Sequence, residues 1–186
     1  MAQSKSPLLF HKADIAEQAV CLLLNRMGGF RYIRYFFKTV SRLGDGVFWY
    51  SLMLALPLFH GWLGLQLMGH IVIWGLVSVG LYKLLKGKLV RERPFISFSN
   101  IQAHTLPLDK YSFPSGHTMN AVNFAIMFCW FFPQLFWIVV PFALLVGLSR
   151  IVLGMHYPTD VIVGAALGAL IAWASTSLWP QGMFTF

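Results

Sequence analysis

Three short polar stretches interrupt an otherwise apolar chain, and each holds residues able to bind an anion or move a proton. The first is "KGKLVRERPF", residues 86–95, with Lys86, Lys88, Arg91 and Arg93 ahead of Pro94. Taken alone, it also suits a basic loop that anchors a span to lipid headgroups. The second is "PSGH", residues 114–117, directly in front of an apolar run. Ser115 there reads as a helix N-cap, with Gly116 and His117 in the first turn. Unpaired N–H groups at a helix start, with the helix dipole behind them, attract an anion. Gly116 admits the anion close to the backbone, and His117 stands beside it with a proton to give. An ordinary cap beside an interfacial histidine uses the same residues. The third is "SRIVLGMHYPTD", residues 149–160. Pro158 suits a first helical position, which makes Asp160 the third and lets its carboxylate reach back toward His156. A carboxylate on one ring nitrogen fixes the tautomer and makes the other nitrogen a better nucleophile or base. The plain alternative is a capping aspartate unrelated to the histidine. Together, the stretches gather Lys86, Arg93, Arg150, Ser115 and Gly116 around one anion, with His117, His156 and Asp160 nearby. Ionisable groups are costly at membrane depth and imply function there.

The elements that must position these residues are membrane helices. The 186-residue chain is 58% hydrophobic and 11% charged, whereas soluble domains carry about 25% charge. Apolar runs at 47–64, 65–85, 118–132, 134–153 and 158–179 approach the roughly 20 residues of a span. Pro57 and Pro141 are tolerated inside such helices. The run from 118 is short and needs His117 and its neighbours to complete it. Segment 14–42 mixes Arg and Lys with aromatics and reads as an amphipathic helix in the interface. The expectation is an all-α, multi-pass transmembrane bundle of five spans, or six if segment 14–42 also crosses. It divides into an N-terminal segment, 1–42, and a membrane domain, 43–186. No repeat or linker is evident.

Five crossings put regions 86–117 and 149–160 on one membrane face. All fourteen Lys and Arg residues lie on that face or in segment 1–42. The net charge of +8 is dispersed among apolar segments, which argues against nucleic acid and for anionic headgroups or phosphorylated substrates. The positive-inside rule makes that face cytoplasmic. Cys21 and Cys129 lie in unrelated apolar runs and read as packing residues. The first residues lack the apolar core and cleavage site of a signal peptide, so insertion is expected to rely on later segments.

Lys86 followed six residues later by Arg93-Pro94, the intact "PSGH", and Ser149-Arg150 with His156 and Asp160 at their spacing resemble the signature of the type 2 phosphatidic acid phosphatase superfamily. That superfamily also includes glucose-6-phosphatase and vanadium haloperoxidases. The resemblance runs over roughly 43–178 and is loose over 1–42; members often have six crossings. It implies that His156 attacks phosphorus and becomes a phosphohistidine, with Asp160 orienting it. It implies that His117 protonates the leaving oxygen and then activates water. Lys86, Arg93, Arg150, Ser115 and Gly116 would hold the phosphoryl oxygens. No cofactor and no metal is called for, and no zinc spacing is present. The substrate would be a lipid phosphate or diphosphate held among membrane lipids. Undecaprenyl diphosphate is the first expectation, with phosphatidate and phosphatidylglycerol phosphate beside it. A lipid phosphotransferase using the same histidine, or a non-catalytic lipid-binding or transport protein, is the alternative; oligomeric state is left open. The resemblance also implies a bacterial cytoplasmic membrane with the site on the periplasmic face, against the charge bias.

Lesser residues complete the reading. Asn120 and Asn123 line the pocket or bond neighbouring helices. Asp45 caps the start of the first span, and Ser149 makes a local hydrogen bond. His104 and Asp109 lie in a solvated loop, 95–113, while His60 and His70 are structural residues at the far face. Gly164 and Gly168 allow close helix packing.

Overall fold

The computed structural model describes residues 8–107 and 109–179. The chain's first seven residues and the stretch after Trp179, which entered the leader and topology readings, lie outside these. The described residues are all-α, without a strand. Helix α1 spans Leu8–Met27 and α2 spans Arg31–Arg42. A π-helical turn, Leu43–Val47, carries α2 into α3, Phe48–Lys88. The one-turn α4 is Pro94–Ser97, and α5 is Gly116–Phe131. A 3₁₀ turn precedes α6, Phe136–Val152, and α7 is Pro158–Ser177.

Helix α3 is two arms, not one rod. Gly61 takes φ 55°, ψ −130°, a conformation closed to most side chains. The chain folds back there so tightly that a Cβ on Gly64 would lie 2.0 Å from the Leu56 carbonyl oxygen. Met53 and Val72 consequently wall the same cavity from opposite arms. The expected break between runs 47–64 and 65–85 therefore falls a few residues earlier. Both Pro57 and Pro141 sit inside continuous helix, as expected.

Helix α5 is central, packed by α7, α6 and α3. Its core is aromatic: the Trp49 ring lies 5.6 Å from Phe124 and from Phe142, and 6.4 Å from Phe128. On α7, a Cβ at Gly164 or Gly168 would stand 2.6 or 2.3 Å from the backbone oxygens of Ser115 and Met119. The glycine pair sets the α5–α7 distance. The outer surface is apolar: Leu58, Phe59, Trp62, Trp137, Leu144 and Trp173 are all exposed. Water does not tolerate such a surface on a monomer, but lipid does. Among the described residues, three helical stretches are long and apolar enough to cross a membrane: Arg31–Lys88, Pro133–Val152 and Pro158–Ser177. At 16 residues, α5 is about 24 Å long, shorter than a hydrocarbon core of about 30 Å.

Segment 14–42 departs from the expected single interfacial helix. It breaks at Gly28–Gly29 into α1 and α2. Helix α1 is docked rather than floating, because Asp14, Cys21 and Asn25 are buried. Asn25 donates to the carbonyls of Gln102 and Val152 and accepts from the Gln102 N–H. His104 is buried as well, its Nε2 3.2 Å from the Asn25 carbonyl, so this part of the loop is packed rather than solvated. The far-face histidines are structural: His70 bonds Ser175 at 2.8 Å and sits edge-on to Trp179, and His60 leans on Phe132.

The glycine spacing makes a clear prediction. Gly168→Leu forces apart α5 and α7 and lowers stability by about 1–3 kcal/mol. Gly69→Ala, facing open space, leaves the melting midpoint in detergent unchanged.

Candidate functional site

The three polar stretches converge at one end of the bundle. The Ser115 N–H donates to the Asp160 carbonyl at 3.0 Å, tying the start of α5 to the start of α7. Arg93 Nη1 donates to the Met155 carbonyl at 2.9 Å, tying the segment after α3 to the turn between α6 and α7. Gly154 shapes that turn at φ 77°, where a Cβ would press on the Gln102 carbonyl at 2.4 Å. The backbone N–H groups of Met155 and His156 both return to the Arg150 carbonyl. His156 is thereby fixed below the end of α6.

Helix α7 starts as the sequence indicates, with Pro158 first and Asp160 third. Asp160 Oδ2 accepts the Tyr157 N–H at 2.9 Å and lies 3.5 Å from His156 Nδ1. The expected carboxylate–imidazole pair is therefore adjacent, but Nδ1 makes no hydrogen bond within the described residues. The capping requirement of α7 takes the oxygen that faces the ring. Burial, followed by the positive charges of Arg150 and Arg93, holds His156 well below the ordinary histidine range. At neutral pH its ring is uncharged.

The cations surround this ring. Lys86 is buried and paired with Asp109 at 2.7 Å. Arg93 bonds the carbonyls of Asp109 and Met155, and burial lowers its pKa. Burial opposes the Asp109 charge, but Lys86 holds that carboxyl below its usual value. Arg150 donates to Ser41 Oγ at 2.5 Å, while its Nε makes no hydrogen bond within the described residues. Among those residues, neither Arg93 nor Arg150 meets a carboxylate at ion-pair distance, although they are 1% and 3% exposed.

Ser115 occupies the N-cap of α5, but its hydroxyl pairs with Thr118 Oγ1 at 2.9 Å rather than with a backbone N–H. Gly116 lies against the Tyr82 ring, where an added Cβ would stand 3.1 Å away and the ring would have to give slightly. His117 and Arg150 line an open cavity of about 740 Å³. Lys86, Gly116 and His117 line an adjoining one of about 210 Å³. Asn120 lines the smaller cavity and accepts from Ser78 at 2.6 Å, whereas Asn123 is buried and points at the Trp74 carbonyl. Ser149 bonds the Val146 carbonyl, as expected.

Two site residues were not recognisable in sequence. Asp45 was expected to cap a helix; instead it sits in the π-helical turn and pairs with His117 Nε2. A π-turn in a helix often marks function, and "LGDG" was the only available hint. Arg91 looked like one more loop cation. It is fully buried, bonded to Asp160 at 2.6 Å, Asp14 at 2.7 Å and Glu17 at 3.2 Å. Burial alone would lower its pKa, but these carboxylates, Asp160 foremost, hold it above the ordinary value. No group of metal-binding residues occurs among the described residues.

Comparison with known proteins bears on the family and the fold. The PAP2 superfamily model matches residues 64–183. Over 122 residues, the chain is 34% identical to a lipid A 1-phosphatase of Rhizobium johnstonii, covering 62% of this chain and 47% of that protein. It is 33% identical over 115 residues to an undecaprenyl-diphosphatase of Sulfolobus acidocaldarius, covering 60% of this chain and 55% of that one. The chain thus spans about half the length of these curated relatives. The crystal structure of Aquifex aeolicus LpxE superimposes with a TM-score of 0.76 at 25% identity, covering 95% of this chain and 99% of the other.

The neutral His156 sets a pH dependence. An unfolded histidine takes a proton near pH 6.5, while the folded one resists until far lower pH. The unfolded chain therefore binds more protons in that window, and stability falls as pH drops below about 6.5. His104, also lowered by burial, adds to the slope. His156→Gln should flatten the acid side of a plot of melting midpoint against pH.

Proposed function

This chain belongs to the PAP2 superfamily, and from that premise we propose that it is a membrane phosphatase that removes a terminal phosphate from a lipid phosphate or diphosphate. One observation carries the reading. Two buried guanidiniums, Arg93 and Arg150, have no carboxylate counter-charge at contact among the described residues. Buried charge is costly unless it is paired, and a phosphoryl group between them supplies the missing anion. Arg is suited to grip phosphate oxygens in pairs, and Lys86 adds a point charge. Ser115 and the Gly116 N–H complete the cradle.

The reaction then has two steps. His156 Nδ1 faces Asp160, which leaves Nε2 to attack phosphorus. The P–N bond forms as the bond to the leaving oxygen breaks, and His117 donates a proton to that oxygen. Asp160 stabilises the charged phosphoimidazole. His117, now neutral, takes a proton from water; the water oxygen attacks phosphorus, the P–N electrons return to the ring, and phosphate leaves. Lys86, Arg93 and Arg150 balance the oxygen charge throughout. Asp45 orients His117 by accepting from Nε2 when the site is empty. Side chains of this chain, together with the Gly116 N–H, fill these roles.

The substrate presents its phosphate at the membrane surface and its tail to the bundle. The 210 Å³ cavity shares Asp45, Tyr50, Val79 and Asn120 with a more apolar neighbour of about 160 Å³. The first carbons of a lipid chain fit there. Undecaprenyl diphosphate is our leading substrate, a choice the Sulfolobus relative supports. Lipid A enters through the Rhizobium relative. We place the protein in a bacterial cytoplasmic membrane with the site on the periplasmic face. Lys86, Arg91, Arg93 and Arg150 are buried, so they act as site residues rather than as the loop charges the positive-inside rule counts.

Two experiments test this. Purified protein with a chelator should release phosphate from at least one of undecaprenyl diphosphate, lipid A, phosphatidate and phosphatidylglycerol phosphate. His156→Ala should lower the rate at least about 10³-fold, and Arg150→Met about 10²–10³-fold. Undiminished release by His156→Ala excludes the mechanism. For sidedness, Lys110→Cys in a Cys129→Ser background should react with an impermeant thiol reagent added to intact spheroplasts. Labelling only after lysis puts the site in the cytoplasm.

A further inference from the structure

Arg91 bonds several groups at once among the described residues, yet it takes no part in the chemical steps above. Arg91 is 0% exposed, and its guanidinium fans out between two structural units. One edge meets α1: Nε and Nη2 bond Asp14 Oδ1 at 2.8 and 2.7 Å, and Nη2 reaches Glu17 at 3.2 Å. The other edge meets α7: Nη1 bonds Asp160 Oδ1 at 2.6 Å and Thr159 Oγ1 at 2.7 Å. The flat face stacks on Tyr157, with 3.9 Å from the guanidinium carbon to the ring centre. Glu17 closes the ring by accepting the Thr159 N–H at 2.8 Å and its hydroxyl at 2.7 Å.

The consequence lies in how the Asp160 carboxylate is shared. Arg91 takes Oδ1, so the carboxylate cannot rotate, and Oδ2 is left facing Tyr157 N–H and His156 Nδ1. We propose that Arg91 is a positioning residue, clamped by Asp14 and Glu17, that fixes the Asp160 carboxylate against His156. Helix α1 is then part of the reacting apparatus, although it lies wholly before residue 64, where the family match begins. The inference rests on His156 as the nucleophile. Its chemistry is specific to arginine: a planar fork spans the carboxylates of α1 and α7 together, and an ammonium group cannot. The titratable groups facing Asp160 are the Arg91 and Arg93 guanidiniums and the uncharged His156 ring, with the Asp14 and Glu17 carboxylates and the Cys21 thiol behind them.

A double-mutant cycle on the full-length protein separates positioning from mere cohesion. Arg91→Lys keeps the buried positive charge and so protects folding. The substrate is whichever lipid of the panel the parent turns over fastest. Arg91→Lys should lower kcat about 10–100-fold, as small misplacements do, with KM unchanged and a melting midpoint that falls but stays above the assay temperature. In an Asp160→Asn background the same substitution should change kcat by no more than about two-fold, because the two residues act as one unit. Asp14→Asn combined with Glu17→Gln should also lower kcat without raising KM. Independent, multiplying effects of Arg91→Lys and Asp160→Asn would overturn the proposal and leave the proposed function intact. So would a loss explained by a melting midpoint below the assay temperature, or full activity in the Asp14–Glu17 variant. A parent that turns over none of the lipids, or a fully active His156→Ala, removes the underlying reading and this inference with it.

Discussion

Burying a charged side chain in a bundle coated by lipid costs several kcal/mol per ion unless a partner of opposite sign lies beside it. Much of this fold is arranged around that cost. Arg91 meets it with carboxylates drawn from α1 and α7, and Lys86 meets it with Asp109. Among the described residues, Arg93 and Arg150 meet it with carbonyl and hydroxyl oxygens alone. The same end of the molecule thus holds, among those residues, two cations paired with carboxylates, Arg91 and Lys86, and two that are not, Arg93 and Arg150. Arg91 holds the framework, and in the mechanism proposed above Arg93 and Arg150 receive the anion of the substrate.

The protein places its ionic links where they join elements distant in sequence. Arg91 spans 77 residues to Asp14 and 69 to Asp160. Asp45 meets His117 across the bundle. Helix packing by itself, through the glycine pair of α7 and the aromatic cluster around Trp49, would hold α5 in place without fixing its rotation or the height of its polar start. The Ser115–Asp160 backbone bond and the ionic links supply that precision. Buried cations without a carboxylate partner are destabilising in isolation, and the tight packing beneath them offsets that cost.

How much of this was legible depended on range. The helices, the fold-back near Gly61 and the start of α7 follow from local rules of hydropathy, glycine and proline. The cradle residues were legible because fixed spacings put them at helix ends on one face. The partners were not, since nothing in the chain near residue 91 points to Asp14 or Glu17. Asp45 reads locally as a cap, and only the tertiary fold brings it to His117. His104 reads as a loop residue until α1 is docked against it. His156 and Asp160 were a legible pair, yet their contact is looser than expected because the third helical position must also serve the Tyr157 N–H. Local capping and long-range chemistry compete for one oxygen there.

The central claim is a covalent phosphohistidine at His156, and trapping it is the most direct test. Lipid substrate carrying a labelled terminal phosphate would be mixed with the protein for milliseconds and quenched in alkali, which preserves a P–N bond. Label is expected on the peptide containing His156, lost on acidification and absent from His156→Ala. Rapid phosphate release with no label on that peptide, or label on a different residue, would contradict it.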